Sequence, residues 1–246
     1  MINIHFIIHE VFEGPGVLEH WAIASGYRLS FSRVYQHEKL PESLDDIDCL
    51  IIMGGPQSPN TTVEECPYFD AKAEMELIDQ AINDNKIVIG VCLGAQMIGQ
   101  ALGAPVEKSP YAEIGSFPIR KTKEGNSDQK LLHFPQNAVV GHWHGDMAGL
   151  TSEAKVLAYS KGCPRQIIQY SALVYGLQCH LEFNPESIEL LIQNSTEELE
   201  RLRGEKYVQT PEELRNNDYK SMNALLFTFM DNLIKQYVVD QKGIMT

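Results

Sequence analysis

Three short runs in the first part of the chain, INIHFII (2–8), DCLIIM (48–53) and KIVIGV (86–91), are rich in aliphatic and β-branched residues. A strand with one wet face alternates apolar and polar residues, whereas a strand covered on both faces reads as a nearly continuous apolar run. Between these runs the spacing becomes helical. VLEHWAIASG (17–26) ends at a glycine, and PYFDAKAEMELIDQAINDN (67–85) repeats apolar residues at Phe69, Met75, Leu77, Ile78 and Ile82. YRLSFSRVY (27–35) reads as a further strand. Buried strands alternating with helices predict an α/β fold with an open, mostly parallel central sheet flanked by helices on both faces.

The texture changes from about 105 to 180. GSFPIRKT, NAVVGHWHG, AKVLAYS, RQIIQYS and LVYGLQCH are short and separated by turn residues, which predicts a small antiparallel β section. Helices then return. Asn184-Pro185 reads as an N-cap with proline in the first turn, Thr210 to Glu213 has the capping-box pattern, and SMNALLFTFMDNLIKQYVV (221–239) predicts a packed closing helix. No linker forces a division, so residues 1–246 are expected to form a single domain with a helical C-terminal extension over about 184–240.

With 43% hydrophobic residues among 246, the chain can bury a full core. Its net charge of −13 provides no basic stripe for phosphate backbones, which argues against nucleic acid and membrane as partners. The N-terminus lacks a basic segment followed by a leader-length apolar run, and no stretch approaches the roughly 18 apolar residues of a membrane span, so a cytoplasmic location is expected. Cys49, Cys66, Cys92, Cys163 and Cys179 are odd in number and lack CxxC spacing, which argues against a disulfide framework.

One of these thiols stands at a sharp corner. In KIVIGVCLGAQMIGQALG (86–103) the strand ends at Val91 and a helix begins at about Leu93, so Cys92 occupies a turn of the nucleophile-elbow type. Gly90 and Gly94, two residues to either side, allow the strand and helix to approach. The helix N-terminus favours a thiolate and lowers its pKa, and the Leu93 amide points toward an oxyanion. The corner alone also fits an ordinary buried thiol.

A nucleophile needs a base. In GLQCHLEF (176–183), His180 and Glu182 are two residues apart, so on an extended segment they share a face and Cys179 points away into the core. An imidazole could then take the thiol proton while the carboxylate fixes its tautomer. A third element is MGGPQS (53–58), where a buried strand breaks at Gly54-Gly55-Pro56 and can present a backbone N–H to developing negative charge.

Together, GGP at 54–56, GVCLGAQ at 90–96, AEIGSFPI at 112–119, HWHGD at 142–146 and CHLE at 179–182 resemble the class I glutamine amidotransferase family. HEVFEGPG (9–16) makes the chain most similar to the stand-alone GMP-synthase-like subgroup. The resemblance covers about residues 2 to 240. It implies a flavodoxin-like fold, with Cys92 as nucleophile, His180 as proton shuttle and Glu182 as its orienting partner. It further implies an oxyanion hole from the amides of Gly55 and Leu93, and Gln96 as a contact to the amino-acid part of the substrate. The implied reaction hydrolyses the γ-amide of glutamine through a γ-glutamyl thioester, releasing glutamate and ammonia, with no cofactor.

Two positions depart from the family pattern. Leu181 stands where many members have proline and is expected to face away from the pair. Ser116 stands where the subgroup often has tryptophan, which alters the expected pocket wall. His142 and His144 form an HxH pair, but no further His/Cys cluster accompanies them in the sequence, so no metal is expected. HWHGD is expected to support the active-site wall, with Asp146 capping or pairing locally, and the His9 and EGPG segment to serve as a turn. Because no SGG, GxxxxGK or GxGxxG phosphate loop occurs, the chain cannot activate an acceptor itself. Three readings follow: a glutaminase that supplies ammonia to a separate synthase partner, an independent γ-glutamyl hydrolase or peptidase, and an idle scaffold or regulatory protein.

Overall fold

The computed structural model describes residues 1–244. Nine strands form one mixed sheet: β1 (Asn3–Ile8), β2 (Arg28–Arg33), β3 (Cys49–Ile52), β4 (Ile87–Val91), β5 (Glu107–Lys121), β6 (Asn137–Met147), β7 (Lys155–Tyr159), β8 (Ile167–Ser171) and β9 (Val174–Leu177). Their spatial order is β2-β1-β3-β4-β9-β8-β7-β5-β6. Pairings from β2 through β9 are parallel, and those from β9 through β6 are antiparallel. The antiparallel section is therefore larger than the short runs suggested, because β5 and β6 are long strands that extend the same sheet.

The helices are α1 (Val17–Ala24), α2 (Ala71–Asn83), α3 (Leu93–Ala101), α4 (Lys123–Ser127), α5 (Pro185–Asn194), α6 (Thr196–Arg201), α7 (Pro211–Arg215) and α8 (Lys220–Ile244). The twofold alternation within the apolar strands separates two cores. Ile4, Phe6, Ile51 and Ile89 face one side, with Leu18 and Trp21 of α1 and Phe229, Met230 and Leu233 of α8. Ile7, Leu50, Ile52 and Val88 face the other, with Leu77 and Ile78 of α2 and Met97 and Ile98 of α3. At about 25 cal/mol per Å² of apolar surface removed from water, this two-sided burial is the main force holding the layers together.

Helix ends follow the expected chemistry. Asn184 and Thr210 accept bonds from the N–H groups of Ser187 and Glu213, and both form reciprocal capping boxes with proline next in line. The order β2-β1-β3-β4-β9 reverses direction at β1, and in such sheets a crevice opens at the carboxyl ends of the strands. His9, Gly54, Cys92 and His180 all follow the carboxyl ends of parallel strands.

Candidate active site

Cys92 sits between β4 and α3 with φ 49° and ψ −104°, a backbone region that a side-chain-bearing residue adopts only under constraint. The constraint is visible in the glycines. A Cβ on Gly90 would collide with the Gly94 carbonyl, and a Cβ on Gly94 would collide with the Ile52 carbonyl. These contacts let α3 start against β3 and β4. The corner exposes the sulfur to a cavity, although Cys92 is only 7% exposed. Burial pushes the thiol above its ordinary value, and His180 pulls the other way. The helix terminus was expected to lower this pKa, but in the free site desolvation is the larger influence, so ionisation of the sulfur leans on the imidazole.

His180 and Glu182 follow β9. The His180 Nδ1–H donates to Glu182 Oε1 at 2.6 Å, and both side chains are buried. Burial opposes protonation of the ring, but Glu182 and Cys92 outweigh it and hold His180 well above the ordinary imidazole value. Its Nε2 has no hydrogen-bond partner among the described residues, and the ring is close enough to Cys92 for each to shift the other's pKa. The backbone around this pair is pinned from both sides. His180 and Gly141 exchange N–H···O bonds of 2.8 and 2.9 Å, and Asn223 of α8 donates to the carbonyls of Leu181 and Phe183 at 2.7 and 3.0 Å. Phe183 stacks on the imidazole with a centroid separation of 4.1 Å. Leu181 and Cys179 lie in the apolar core, as the alternation along the segment requires.

Gly55 and Leu93 are neighbours across the site. A Cβ on Gly55 would come within 2.9 Å of the Leu93 side chain, and Leu93 opens α3, where helix amides lack intrahelical partners. The glycine loop is fastened by His9, a role beyond the turn expected for it. Its Nδ1–H donates to the Gly54 carbonyl at 3.0 Å and its Nε2–H to Glu74 Oε2 at 2.9 Å. Burial opposes the charge on His9, but Glu74 prevails and raises its pKa.

Gln96 lies one turn into α3, is 5% exposed and lines the same cavity. Its Nε2 lies 3.4 Å from Gln178 Oε1. Gln178 was not singled out from the sequence, yet it donates to Cys92 Sγ at 3.5 Å and accepts from the Ala148 N–H at 3.0 Å. The signal was present, because Gln178 precedes His180 by two residues along an extended segment. The Trp143 carbonyl lies 3.6 Å from Cys92 Sγ, which places HWHGD in the site wall. Asp146 pairs across the sheet with Lys108 of β5, at 2.6 Å, rather than within its own segment. Ser116 is not among the described residues that line the cavity, and its N–H donates to Gln209 Oε1 at 2.9 Å.

Behind the wall, the fold supplies what the HxH pair lacked in sequence. Donor atoms of Glu113, His144 and Cys163 lie within 4.8 Å of one another, a set that could hold a metal. Glu113 Oε2 already accepts bonds from Ser160 Oγ at 2.8 Å and Gln166 Nε2 at 2.6 Å. The outer N–H groups of His142 and His144 donate to the carbonyls of Phe117 and Asp146 at 3.3 and 3.1 Å. Burial pushes His142 down to about 3 despite the pull of Glu113. This network braces β5 against β6 and supports the wall.

The cavity in front of Cys92 has a volume of about 1170 Å³ and extends from Glu13 and Gly55 past Gln96 to Asn194 and Arg201. The match to the glutamine amidotransferase class-I family spans residues 18–197. A Salmonella typhimurium protein described as glutamine amidotransferase-like is 50% identical over 94% of this chain and 97% of its own length. A GMP synthase of Dehalococcoides mccartyi is 30% identical over 54% of this chain, but the match covers only 23% of that enzyme. The solved structure of a glutamine amidotransferase from Thermotoga maritima shares the fold, with a TM-score of 0.83, 24% identity and coverage of 95% of this chain and 98% of that one. The chain belongs to the class I glutamine amidotransferase family. It is a class I glutamine amidotransferase-like protein, from a family that typically uses a cysteine nucleophile. No described helix is long and apolar enough to cross a membrane.

Proposed function

We propose that the chain hydrolyses a γ-glutamyl amide through a thioester on Cys92, with glutamine as the default substrate and a separate synthase as the consumer of ammonia. The observation that carries this reading is Cys92 at the wall of an open cavity, with the buried and hydrogen-bonded His180–Glu182 pair close enough to act on its thiol. His180 takes the thiol proton as the sulfur attacks the γ-carbonyl carbon, and Glu182 stabilises the resulting imidazolium. The amides of Gly55 and Leu93 receive the oxyanion, while Gln96 contacts the amino-acid end. Water then cleaves the thioester and releases glutamate.

One observation favours a second substrate class. The cavity of about 1170 Å³ exceeds the roughly 300–1,000 Å³ typical of small-molecule sites, leaving room for a γ-glutamyl peptide or amine. Glutamate release from glutamine and from γ-glutamyl dipeptides, by wild type and Cys92→Ala, separates the readings. Release from glutamine supports the amidotransferase reading, and release from dipeptides alone supports the hydrolase. Silence on both, with candidate synthases present, supports a scaffold. Mass spectrometry after treatment with a glutamine-like electrophile identifies the labelled cysteine, expected to be Cys92.

A further inference from the structure

We propose that Glu13 forms an amine subsite beside His180 that binds the leaving nitrogen of a γ-glutamyl amide. The inference rests on the thioester reading and specifies the chemistry of the leaving-group side.

EGPG (13–16) does more than turn the chain. Gly16, at φ +55°, packs so closely on the Glu182 carbonyl that a Cβ would collide with it, and the Val17 N–H donates to that oxygen at 3.0 Å. The loop carrying Glu13 is therefore fastened to the residue that orients the base. From this loop, Glu13 lines the cavity with Cys92 and Gly55. Its carboxylate lies over Gly54: a Cβ there would collide with Oε2 of Glu13 and come within 3.6 Å of His180 Cε1. The missing side chain at Gly54 makes room for a carboxylate at the edge of the imidazole.

Other carboxylates nearby are engaged. Glu10 accepts from Gln57, Glu74 from His9 and Glu182 from His180. Among the described residues, no protein group donates a hydrogen bond to the Glu13 side chain. Burial pushes Glu13 up to about 7, with His180 and His9 opposing that rise and Glu182 and Glu10 adding to it. Cys92 also faces it, since Glu13 acts on the thiol. The result is a carboxylate open to a ligand at neutral and higher pH.

The bond geometry of the reaction assigns that ligand. With the γ-carbon on Cys92 Sγ, its oxygen toward the Gly55 and Leu93 amides and its chain toward Gln96, the nitrogen takes the remaining tetrahedral position, which we place at His180, beside Glu13. When the tetrahedral adduct collapses, the C–N pair leaves with nitrogen, His180 Nε2 supplies a proton to it, and the oxyanion re-forms the carbonyl. Positive character develops at nitrogen, and the Glu13 carboxylate accepts an N–H hydrogen bond from it. The shared ligand chemistry is ammonia or a primary amine, according to the substrate.

The test compares wild type with Glu13→Gln on glutamine, a γ-glutamyl alkylamide and γ-glutamyl methyl ester. The ester forms the same thioester but releases an alcohol. The substitution is expected to lower kcat/KM on the amides by about 10- to 100-fold and to change the ester by less than about threefold. The part of the fall in wild-type amide turnover on acidification through about pH 7 that the ester does not share should also disappear in the variant. Preference for glutamine or for the alkylamide distinguishes an ammonia subsite from one for a larger amine. Equal losses on amides and ester, or an unchanged amide pH profile, would overturn the subsite. If Cys92 is still labelled by the electrophile in that case, the thioester reading stands; if wild type neither labels nor turns over the ester, both fail. Should Glu13→Gln not fold, methylammonium inhibition of ester hydrolysis by wild type must strengthen above pH 7, and inhibition that does not change with pH counts against the proposal.

Discussion

His9 and His180 are both buried and bond to buried glutamates, at 2.9 Å for His9–Glu74 and 2.6 Å for His180–Glu182, and both are held above the ordinary imidazole pKa. They differ at the second ring nitrogen. His9 donates from both nitrogens, to Glu74 and to the Gly54 carbonyl, and so is fixed as an imidazolium clamp. His180 spends one nitrogen on Glu182 and leaves the other without a hydrogen-bond partner among the described residues, with Cys92 near enough to act on the ring. A closed pair of this kind holds a loop in place. An open one can exchange a proton, which is what general acid–base chemistry requires.

The comparison breaks most sharply at the open pair. Cys92→Ala is expected to reduce turnover by at least about 10³-fold while leaving the thermal midpoint near that of wild type, as read by glutamate release and a melting curve. At the closed pair, Glu74→Gln strands a buried charge and is expected to cost about 3–5 kcal/mol in denaturant unfolding. Activity should fall with it as the Gly54 loop loosens.

A pH series sharpens the contrast. Because the folded pKa of His9 is raised, its contribution is full below the unfolded value near 6.5 and is lost as pH rises through the folded value. Stability should decline on that alkaline side, and Glu74→Gln should flatten the slope, with His180 supplying what remains. His142 and His5, lowered to about 3 and about 4, act in the opposite sense: their contributions are present above about 6.5 and are lost as pH falls through those values. The smallest effect is expected at the surface. Lys108 and Asp146 are only 2.6 Å apart, but the lysine side chain is 86% exposed, so Lys108→Ala should change stability by less than about 0.5 kcal/mol. A larger change would show that proximity, rather than burial, sets the strength of these pairs.

Local order made the central elements legible. The elbow announced itself through Gly90 and Gly94, because contacts two residues away across a corner are set by the chain itself. His180 and Glu182 were legible for the same reason, since an extended segment turns alternate residues to one face. Glu13 read as part of a turn, and Gln178 went unnoticed, because their importance depends on segments distant in sequence. Glu113 and Cys163 likewise join the HxH pair only when strands fold together.

The amino-acid sequence by itself determined the two-sided burial of β1, β3 and β4, the strand-to-helix corner at Cys92 and the shared face of His180 and Glu182. These follow from hydrophobic periodicity and backbone sterics over a few residues. Only the tertiary structure decided which histidine nitrogen stays open, how far burial raises the thiol, and that a carboxylate from the first loop stands beside the imidazole. Those outcomes depend on desolvation and on charges brought together across the sheet, which no local stretch of chain encodes.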